Sequence, residues 1–420
     1  MAAGCVQGGA HAEAWGLTVS QVAVAGLEVK DEGSSLTLRN STLKDFQELH
    51  IHTKSVCGVH VHECAKAALM CVAMARMWCG VDIRDRAHAT VEFCEVEDTA
   101  DCCIACTQGA RGSLTRCVLS GSRAQHGAYV GTSSHMDVTS CRFLQNALYG
   151  ACAYNGGKLV AEGCMSMGNM GAGFGSLGGA NVTMTRCSSD MNVKGVDVVE
   201  GGQLRATKSR VNRSTHVGVN VQAQGKCVLT ESKVTNSGTE GVLSIHEGTD
   251  VKLTACDVDG AKAYCVFVGE GAKGTVRGCT LDKSATESGL ACIGQGTTVE
   301  VATTSFASNA KYGALAAKSS VMVAKDCISK FCQVQGFIAC HGARLTVRGC
   351  RSECAEGDKG TMTTVLENCT YFSSAPPHGT ASRAPVASRK VESSRSVRKP
   401  SHAVPHEAHP ASPRVGGVAR

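Results

Sequence analysis

The chain alternates apolar and polar residues in short runs, and these runs return at nearly constant intervals. Val251 and Leu253 lead to Cys256, and the same order restarts at Val276 before Cys279. Such alternation is typical of half-buried β-strands. The two cysteines are 23 residues apart. The pattern therefore predicts a repeated unit of short strands.

One small residue, Cys or Ser, marks the same place in each repeat, and most of its intervals are 22 to 24 residues. Equivalent residues stack in a solenoid, so we expect these side chains to form one buried ladder. The predicted ladder residues are Ser41, Cys64, Cys94, Cys117, Cys141, Cys164, Cys187, Ser209, Ser232, Cys256, Cys279, Ser305, Cys327, Cys350 and Cys369.

A second short strand follows each ladder residue after about nine positions. It begins with Gly, followed by two apolar residues that one other residue separates, as at Gly127, Gly195 and Gly218. A Gly-containing turn then closes the repeat. One such unit cannot bury its apolar face, but stacked units can. The predicted fold class is all-β: a right-handed parallel β-helix solenoid of about 14–15 coils with ~23-residue repeats.

The repeat Val-x-Leu-x-x-Cys-x-Val, followed by Gly-Val-x-Val and Gly, resembles the parallel β-helix repeat family of the pectin-lyase-like superfold over about residues 20–372. That superfold includes polysaccharide lyases and hydrolases, phage tailspikes, epimerases, and non-catalytic modules of intracellular proteins. Many members carry an Asn ladder at a turn. This chain is expected to depart from them by using Cys instead.

Proline and charge divide the chain at the same place. All seven prolines lie at or after Pro376, as expected if the preceding residues form continuous strands. Residues 373–420 carry a net charge of +6, and the remainder is neutral. We predict an N-terminal cap over residues 1–16, the β-helix over 17–372, and a disordered, basic Ser/Pro-rich tail over 373–420.

Two segments depart from the strand pattern. His11–Trp15 could form a short capping helix, and residues 65–77 are rich in the helix formers Ala, Leu and Met. The interval after Cys64 is also about seven residues longer than the others. We therefore expect residues 65–77 to form a short helix or a bulging loop.

The cellular compartment is inferred from the absence of targeting signals. The N-terminus shows no signal-peptide pattern, and no run of eighteen apolar residues occurs. These observations favour a cytoplasmic or nuclear protein without a membrane span, whose 25 cysteines are reduced. A disulfide-linked ladder is the alternative, because neighbouring ladder residues would lie within reach of each other.

Two clusters contain potential metal ligands. His50, His52, His60 and His62 alternate with apolar residues, and His60 and His62 share one strand. They are weak candidates for a metal site, because a zinc site needs three or four convergent ligands. Cys102, Cys103 and Cys106 include one Cys-x-x-Cys spacing, but no second pair follows, so core packing is favoured.

The best candidates for catalysis are Asp259 and Asp282, which occupy equivalent positions one coil apart, near Lys262 and Lys283. Two adjacent carboxylates could act as acid and base. The alternative is that Asp simply suits the turn after a strand. Aromatic residues that would stack on sugars look scattered along the chain: Tyr129, Tyr149, Tyr154, Tyr264 and Tyr312.

The sequence favours a non-catalytic protein-interaction scaffold with unknown partners and no cofactor. A nucleic acid or an acidic partner would bind only through the basic tail. The alternative is a carbohydrate-active enzyme, a polysaccharide lyase or glycoside hydrolase, that uses Asp259 and Asp282.

Overall fold

A computed structural model describes residues 3–21, 25–46, 56–354, 364–367 and 370–373, with residue 354 and the last two ranges described by their backbone alone. These residues form a parallel right-handed β-solenoid of about 15 coils, as the repeat predicts. Each coil contributes one strand to each of three sheets. The described residues contain no helix, and so none that could cross a membrane.

The first sheet has 15 strands: β1 Gly4–Val6, β4 Ala25–Val29, β7 Cys57–Val61, β10 Cys79–Ile83, β13 Ile104–Cys106, β16 Ala128–Val130, β19 Ala151–Ala153, β22 Ala172–Leu177, β25 Lys194–Val199, β28 Val219–Val221, β31 Val242–Ile245, β34 Val266–Gly269, β37 Leu290–Ile293, β40 Tyr312–Ala317 and β43 Gln335–Cys340.

The second sheet has 16 strands: β2 His11–Trp15, β5 Ser35–Arg39, β8 Lys66–Met70, β11 His88–Glu92, β14 Arg111–Thr115, β17 His135–Thr139, β20 Lys158–Glu162, β23 Asn181–Thr185, β26 Gln203–Thr207, β29 Lys226–Thr230, β32 Asp250–Thr254, β35 Lys273–Arg277, β38 Thr298–Ala302, β41 Val321–Lys325, β44 Arg344–Arg348 and β46 Thr364–Glu367.

The third sheet also has 16 strands: β3 Thr18–Ser20, β6 Thr42–Lys44, β9 Ala73–Met77, β12 Glu95–Thr99, β15 Val118–Ser120, β18 Arg142–Leu144, β21 Met165–Met167, β24 Ser188–Asp190, β27 Arg210–Asn212, β30 Lys233–Thr235, β33 Asp257–Asp259, β36 Thr280–Asp282, β39 Ser305–Ala307, β42 Ile328–Lys330, β45 Arg351–Cys354 and β47 Thr370–Ser373.

Apart from Cys64 and Ser305, and from Cys369, which lies outside the described residues, the predicted ladder residues lie at the corner between the second and third sheets, and this corner explains their chemistry. The residue before each bends the chain in the left-handed region, with φ 54° at Arg116 and 55° at Ser140. The Cys117 backbone N–H then points along the solenoid and donates to Cys141 Sγ at 3.3 Å. Cys141 Sγ in turn donates to the Thr139 carbonyl at 3.4 Å. A ladder side chain must therefore both donate and accept a hydrogen bond, which Cys and Ser can do.

Two members of the predicted ladder are wrong. Cys64 lies in a turn before β8, and the residue in register is Val72, whose backbone N–H donates to Cys94 Sγ at 3.4 Å. Ser305 begins β39, so the ladder position there is Thr304, which accepts from the Cys279 N–H at 3.5 Å. No disulfide joins any of the cysteines whose side chains the structure describes.

Both segments expected to be helical are strands. His11–Trp15 is β2 and pairs with β5 along its whole length, so the first coil begins within the expected cap. Residues 65–77 contain β8 and β9, where Ala67, Leu69 and Met74 point into the core. Pairing with neighbouring coils overrides helix propensity here. The extra residues of this coil lie between Phe46 and Val56.

An Asn ladder is present, which corrects the expectation that this chain replaces it with Cys. Asn146, Asn169 and Asn192 are buried at the corner between the third and first sheets. Asn169 Oδ1 accepts from the Asn146 backbone N–H at 2.9 Å, and Asn192 Oδ1 accepts from the Asn169 N–H at 2.8 Å. This second corner thus satisfies its backbone N–H groups in the same way as the first.

Glycine opens most strands of the first sheet because successive coils approach closely there. A Cβ atom on Gly150 would lie 2.0 Å from Ser166 Oγ and 2.7 Å from the Gly173 carbonyl oxygen. The contact with the Gly173 carbonyl oxygen could be relieved only by displacing backbone. The Gly of the Gly-Val-x-Val pattern is therefore required by packing against the next coil.

The described residues all belong to one unit of the chain, Met1–Ala375. Residues 376–420, and with them most of the predicted tail, lie outside the described residues. The disordered tail therefore stays a prediction.

The ladder predicts a difference between two substitutions at Cys141. Serine keeps a donor and an acceptor, whereas valine leaves the buried Cys117 N–H without its acceptor, at a cost of about 1–3 kcal/mol. We expect Cys141→Val to lower the free energy of unfolding by about that amount and Cys141→Ser to lower it much less. Urea unfolding followed by circular dichroism measures both; equal stability of the two variants would contradict the role of the ladder.

Candidate functional site

A cleft lies on the outer face of the first sheet. Each of its shorter strands points two side chains inward and one outward, and the outward residues stack from coil to coil. Asp82 pairs with Ala105, Ala105 with Tyr129, and Tyr129 with Cys152. Because Ala105 and Cys152 are small, they leave a depression on either side of the Tyr129 ring.

The depression opens into a cleft of about 430 Å³, a size that suits a small ligand or part of a longer one. Its polar and aromatic lining comes from four consecutive coils: Asp82, Arg84, Asp101, His126, Tyr129, Tyr149 and Tyr154. Three tyrosines that look scattered in the sequence are therefore gathered at one place, which corrects that expectation.

Asp82 is a buried carboxylate held by one cation. Its side chain is only 3% exposed. Arg84 donates two hydrogen bonds to it, from Nε to Oδ1 at 2.9 Å and from Nη2 to Oδ2 at 2.7 Å. Two parallel hydrogen bonds of this kind fix both position and charge. Asp82 therefore gives this end of the cleft a rigid negative group with a guanidinium beside it.

Asp101 is the second acid of the cleft, and its environment is different. Burial raises the pKa of Asp101, and the negative charge of Asp82 adds to this effect. The hydrogen bond from the Cys102 backbone N–H and the charge of Arg84 act in the opposite direction but do not cancel it. Asp101 thus keeps its proton to higher pH than an ordinary aspartate.

His126 is buried among the tyrosines. Its ring lies 5.5 Å from that of Tyr129 in a stacked arrangement and 5.3 Å from that of Tyr149. The Tyr149 backbone N–H donates to His126 Nδ1 at 3.3 Å, which places the proton of the neutral ring on Nε2. Burial lowers the pKa of His126 to about 4. His126 is therefore a neutral hydrogen-bond donor near pH 7.

Tyr149, which lines the cleft, is held by a hydrogen-bond network around Asp197. The hydroxyl of Tyr149 donates to Asp197 Oδ2 at 2.8 Å, and Lys194 Nζ lies 3.0 Å from the same oxygen. Asn220 Nδ2 donates to the other oxygen at 2.6 Å. These contacts fix the Tyr149 ring in the cleft wall.

Asp259 and Asp282 occupy equivalent positions one coil apart, as expected from the repeat. They lie on the third sheet and do not line the cleft. Lys283 Nζ lies 3.4 Å from Asp259 Oδ2, and Asp282 Oδ1 accepts from the Ala307 backbone N–H at 2.7 Å. Burial raises the pKa of Asp282. Their contacts are those of a strand end with a surface ion pair.

The structure brings two of the four predicted histidines together. His60 and His62 have stacked rings with centroids 4.4 Å apart, and Glu28 of the preceding coil faces them. His50 and His52 lie outside the described residues. Glu28 was not predicted from the sequence, because its position beside the histidines depends on the register between β4 and β7.

The Cys102–Cys106 segment has no shared site. Cys103 and Cys106 are buried inside the solenoid, and burial raises the pKa of each to about 12. Cys102 points the other way and packs with Cys57 and Cys79. The three sulfurs therefore do not converge, as expected for residues of a packed core.

Sequence analysis also missed Asp82, Asp101 and His126. One signal was available: the variable position in the Gly-Val-x-Val strand, which the core does not constrain, is Asp82 in β10 and Tyr129 in β16. Asp101 and His126 precede such strands and could be grouped with them only by knowing the register of the coils.

One known protein family matches this architecture. The model of the family described as right handed beta helix region matches residues 79–226 and 194–370, more than half of the chain. The chain belongs to this family. No curated protein matches it.

Several solved structures are similar to this chain at low sequence identity. The periplasmic alginate epimerase AlgG is 8% identical, with 82% of this chain and 76% of that chain covered and a TM-score of 0.37. The A-module of the mannuronan C-5 epimerase AlgE6 from Azotobacter vinelandii is 12% identical, with 88% and 92% covered and a TM-score of 0.29. A hyper-glycosylated TibA fragment is 13% identical, with 85% and 100% covered and a TM-score of 0.35.

The raised pKa of Asp101 predicts a pH-dependent effect of Asp101→Asn on stability. The folded state holds this proton more tightly than the unfolded state, so stability is lost as pH rises from about 3.9 through the raised pKa. Asparagine cannot ionise, so the variant does not lose stability as the pH rises through this range. We expect Asp101→Asn to raise the midpoint of thermal unfolding at pH 7 and to change it little at pH 3. The exposed Asp85, replaced by Asn, is the control; an equal response of both variants would contradict the assignment.

Proposed function

We propose that this protein is a carbohydrate-active β-helix protein that binds a glycan in the cleft of the first sheet. The observation that carries the proposal is the pairing of two carboxyl groups in different environments, Asp82 and Asp101, within a cleft walled by tyrosines. This supports the enzymatic alternative over a non-catalytic scaffold.

The two acids suit acid–base chemistry at a sugar. Asp101, whose raised pKa keeps it protonated to higher pH than an ordinary aspartate, can serve as the donor of a proton to a leaving oxygen. Asp82 is held by Arg84 and remains a fixed negative group next to it. Two carboxyl groups held in different surroundings can divide acid and base roles between them. Asp101 is accordingly the candidate catalytic acid.

The remaining lining suits a polyhydroxylated ligand. The Tyr129 and Tyr154 rings combine an apolar face with a hydroxyl group, and His126 Nε2 is a neutral donor. The cleft runs across successive coils, so an extended chain could follow the outward residues of the sheet. Preformed walls of hydrogen-bonded strands would hold these groups in place.

Turnover of polysaccharides by the full-length protein tests the proposal. The substrates are uronate polymers (alginate and pectate) and neutral polymers (xylan and starch). Reducing ends, unsaturated products and changed anomeric proton signals report hydrolysis, elimination and epimerisation. We expect turnover of one of these polymers. Asp101→Asn should reduce that turnover about 100-fold or more, and Tyr129→Ala should raise the KM for the polymer.

The matched control is Asp282→Asn, which removes a carboxyl of raised pKa on the third sheet and should leave turnover unchanged. Loss of turnover in Asp282→Asn but not in Asp101→Asn would overturn the assignment of the cleft. A folded protein that neither binds nor converts any of these glycans would overturn the proposal and favour the scaffold. The intracellular location, the protein partner and the role of the basic tail stay predictions.

A further inference from the structure

A second cluster of chemically distinctive side chains lies on the first sheet, one coil before the cleft begins. Glu28 on β4 pairs in register with His60 on β7, and His62 immediately follows β7. One potential ligand atom from each of the three lies within 4.8 Å of the other two. Two imidazoles and a carboxylate form a donor set that binds divalent transition metals.

The spacing of the donors is close to that of a metal site. His62 Nε2 and Glu28 Oε1 are 3.2 Å apart. Ligands held about 2.0–2.2 Å from a tetrahedral zinc ion lie roughly 3.3 Å from each other. The two imidazole rings are stacked, with an angle of 18° between their planes, so the two histidines lie side by side in the cluster.

His60 has an unsatisfied nitrogen in this cluster. His60 Nε2 is buried and makes no hydrogen bond. Its nearest carboxylate oxygen, Asp82 Oδ2, is 3.7 Å away and already accepts from Arg84. Buried polar atoms without partners are uncommon because each costs free energy. A metal ion bound at this nitrogen would supply the missing partner.

His62 has the outer support that metal-binding histidines usually have. While its Nε2 faces Glu28, its Nδ1 lies 3.4 Å from Glu63 Oε1. A carboxylate at the second ring nitrogen orients the imidazole and keeps the first nitrogen free to coordinate. This arrangement distinguishes His62 from an ordinary surface histidine.

We infer that Glu28, His60 and His62 form a binding site for one divalent transition metal ion of the zinc type. Three protein ligands leave a coordination position open to water or to an anionic group. The site is independent of the proposed function, because none of its three ligands lines the cleft.

Metal binding by the full-length protein tests the inference. The protein is stripped with a chelator and titrated with Zn²⁺ against a chromophoric competitor, and Co²⁺ is added separately to record its visible spectrum. The chain has 15 histidines and 25 cysteines, so the readout is the difference between wild type and variant. We expect His62→Ala and Glu28→Gln each to lose one equivalent of bound Zn²⁺, or to weaken it at least about tenfold, and to lose the Co²⁺ spectrum.

The matched control is His246→Ala. His246 Nε2 lies 3.3 Å from Glu270 Oε2 on the next coil, which is a similar pair without a third ligand. This variant should bind as much metal as wild type. Zn²⁺ should raise the thermal midpoint of wild type and of His246→Ala but not that of Glu28→Gln, whose fold without metal is checked by circular dichroism. Equal stoichiometry and spectra in wild type, His62→Ala and Glu28→Gln would overturn the inference.

Discussion

Each coil of this solenoid must satisfy backbone N–H groups at its corners, where the chain leaves the strand ladder. A buried N–H without an acceptor costs about 1–3 kcal/mol, and the cost would recur in every coil. The corner between the second and third sheets solves this with Cys, Ser or Thr, as Cys141 does for Cys117. The next corner uses Asn169 for Asn146, and the third uses Ser134 for Gly109 at 3.1 Å. One requirement thus determines the polar residues at the corners of the core.

This requirement explains why the fold could be predicted from the sequence and where the prediction failed. A side chain that must donate and accept recurs at the same place, so its interval is visible without a structure. Val72 occupies the ladder position without that chemistry, and a cysteine in a neighbouring turn, Cys64, was taken in its place. The helix expected over residues 65–77 followed from the same shift, since it left β8 and β9 outside the repeat.

The candidate site could not be predicted in this way, because its residues are not constrained by the core. Asp82 and Tyr129 share one outward position two coils apart, with Ala105 between them, whereas Asp101 precedes β13, and the three meet only through the pairing of β10, β13 and β16. Asp259 and Asp282 were visible because they share one position of the repeat. Equivalent positions guarantee that two side chains are neighbours, but they do not create a cleft, which requires a change of side-chain size from coil to coil.

Such a change of size is what the outer face of the first sheet provides. Ala105 and Cys152 flank Tyr129 on the neighbouring strands, so the surface is lower where those small side chains lie. The strands beneath are hydrogen-bonded to coils on both sides and cannot collapse into the space. A site built on such strands is held rigidly without further support. The regular core therefore makes an irregular surface stable, and the surface can carry chemistry that the repeat itself does not encode.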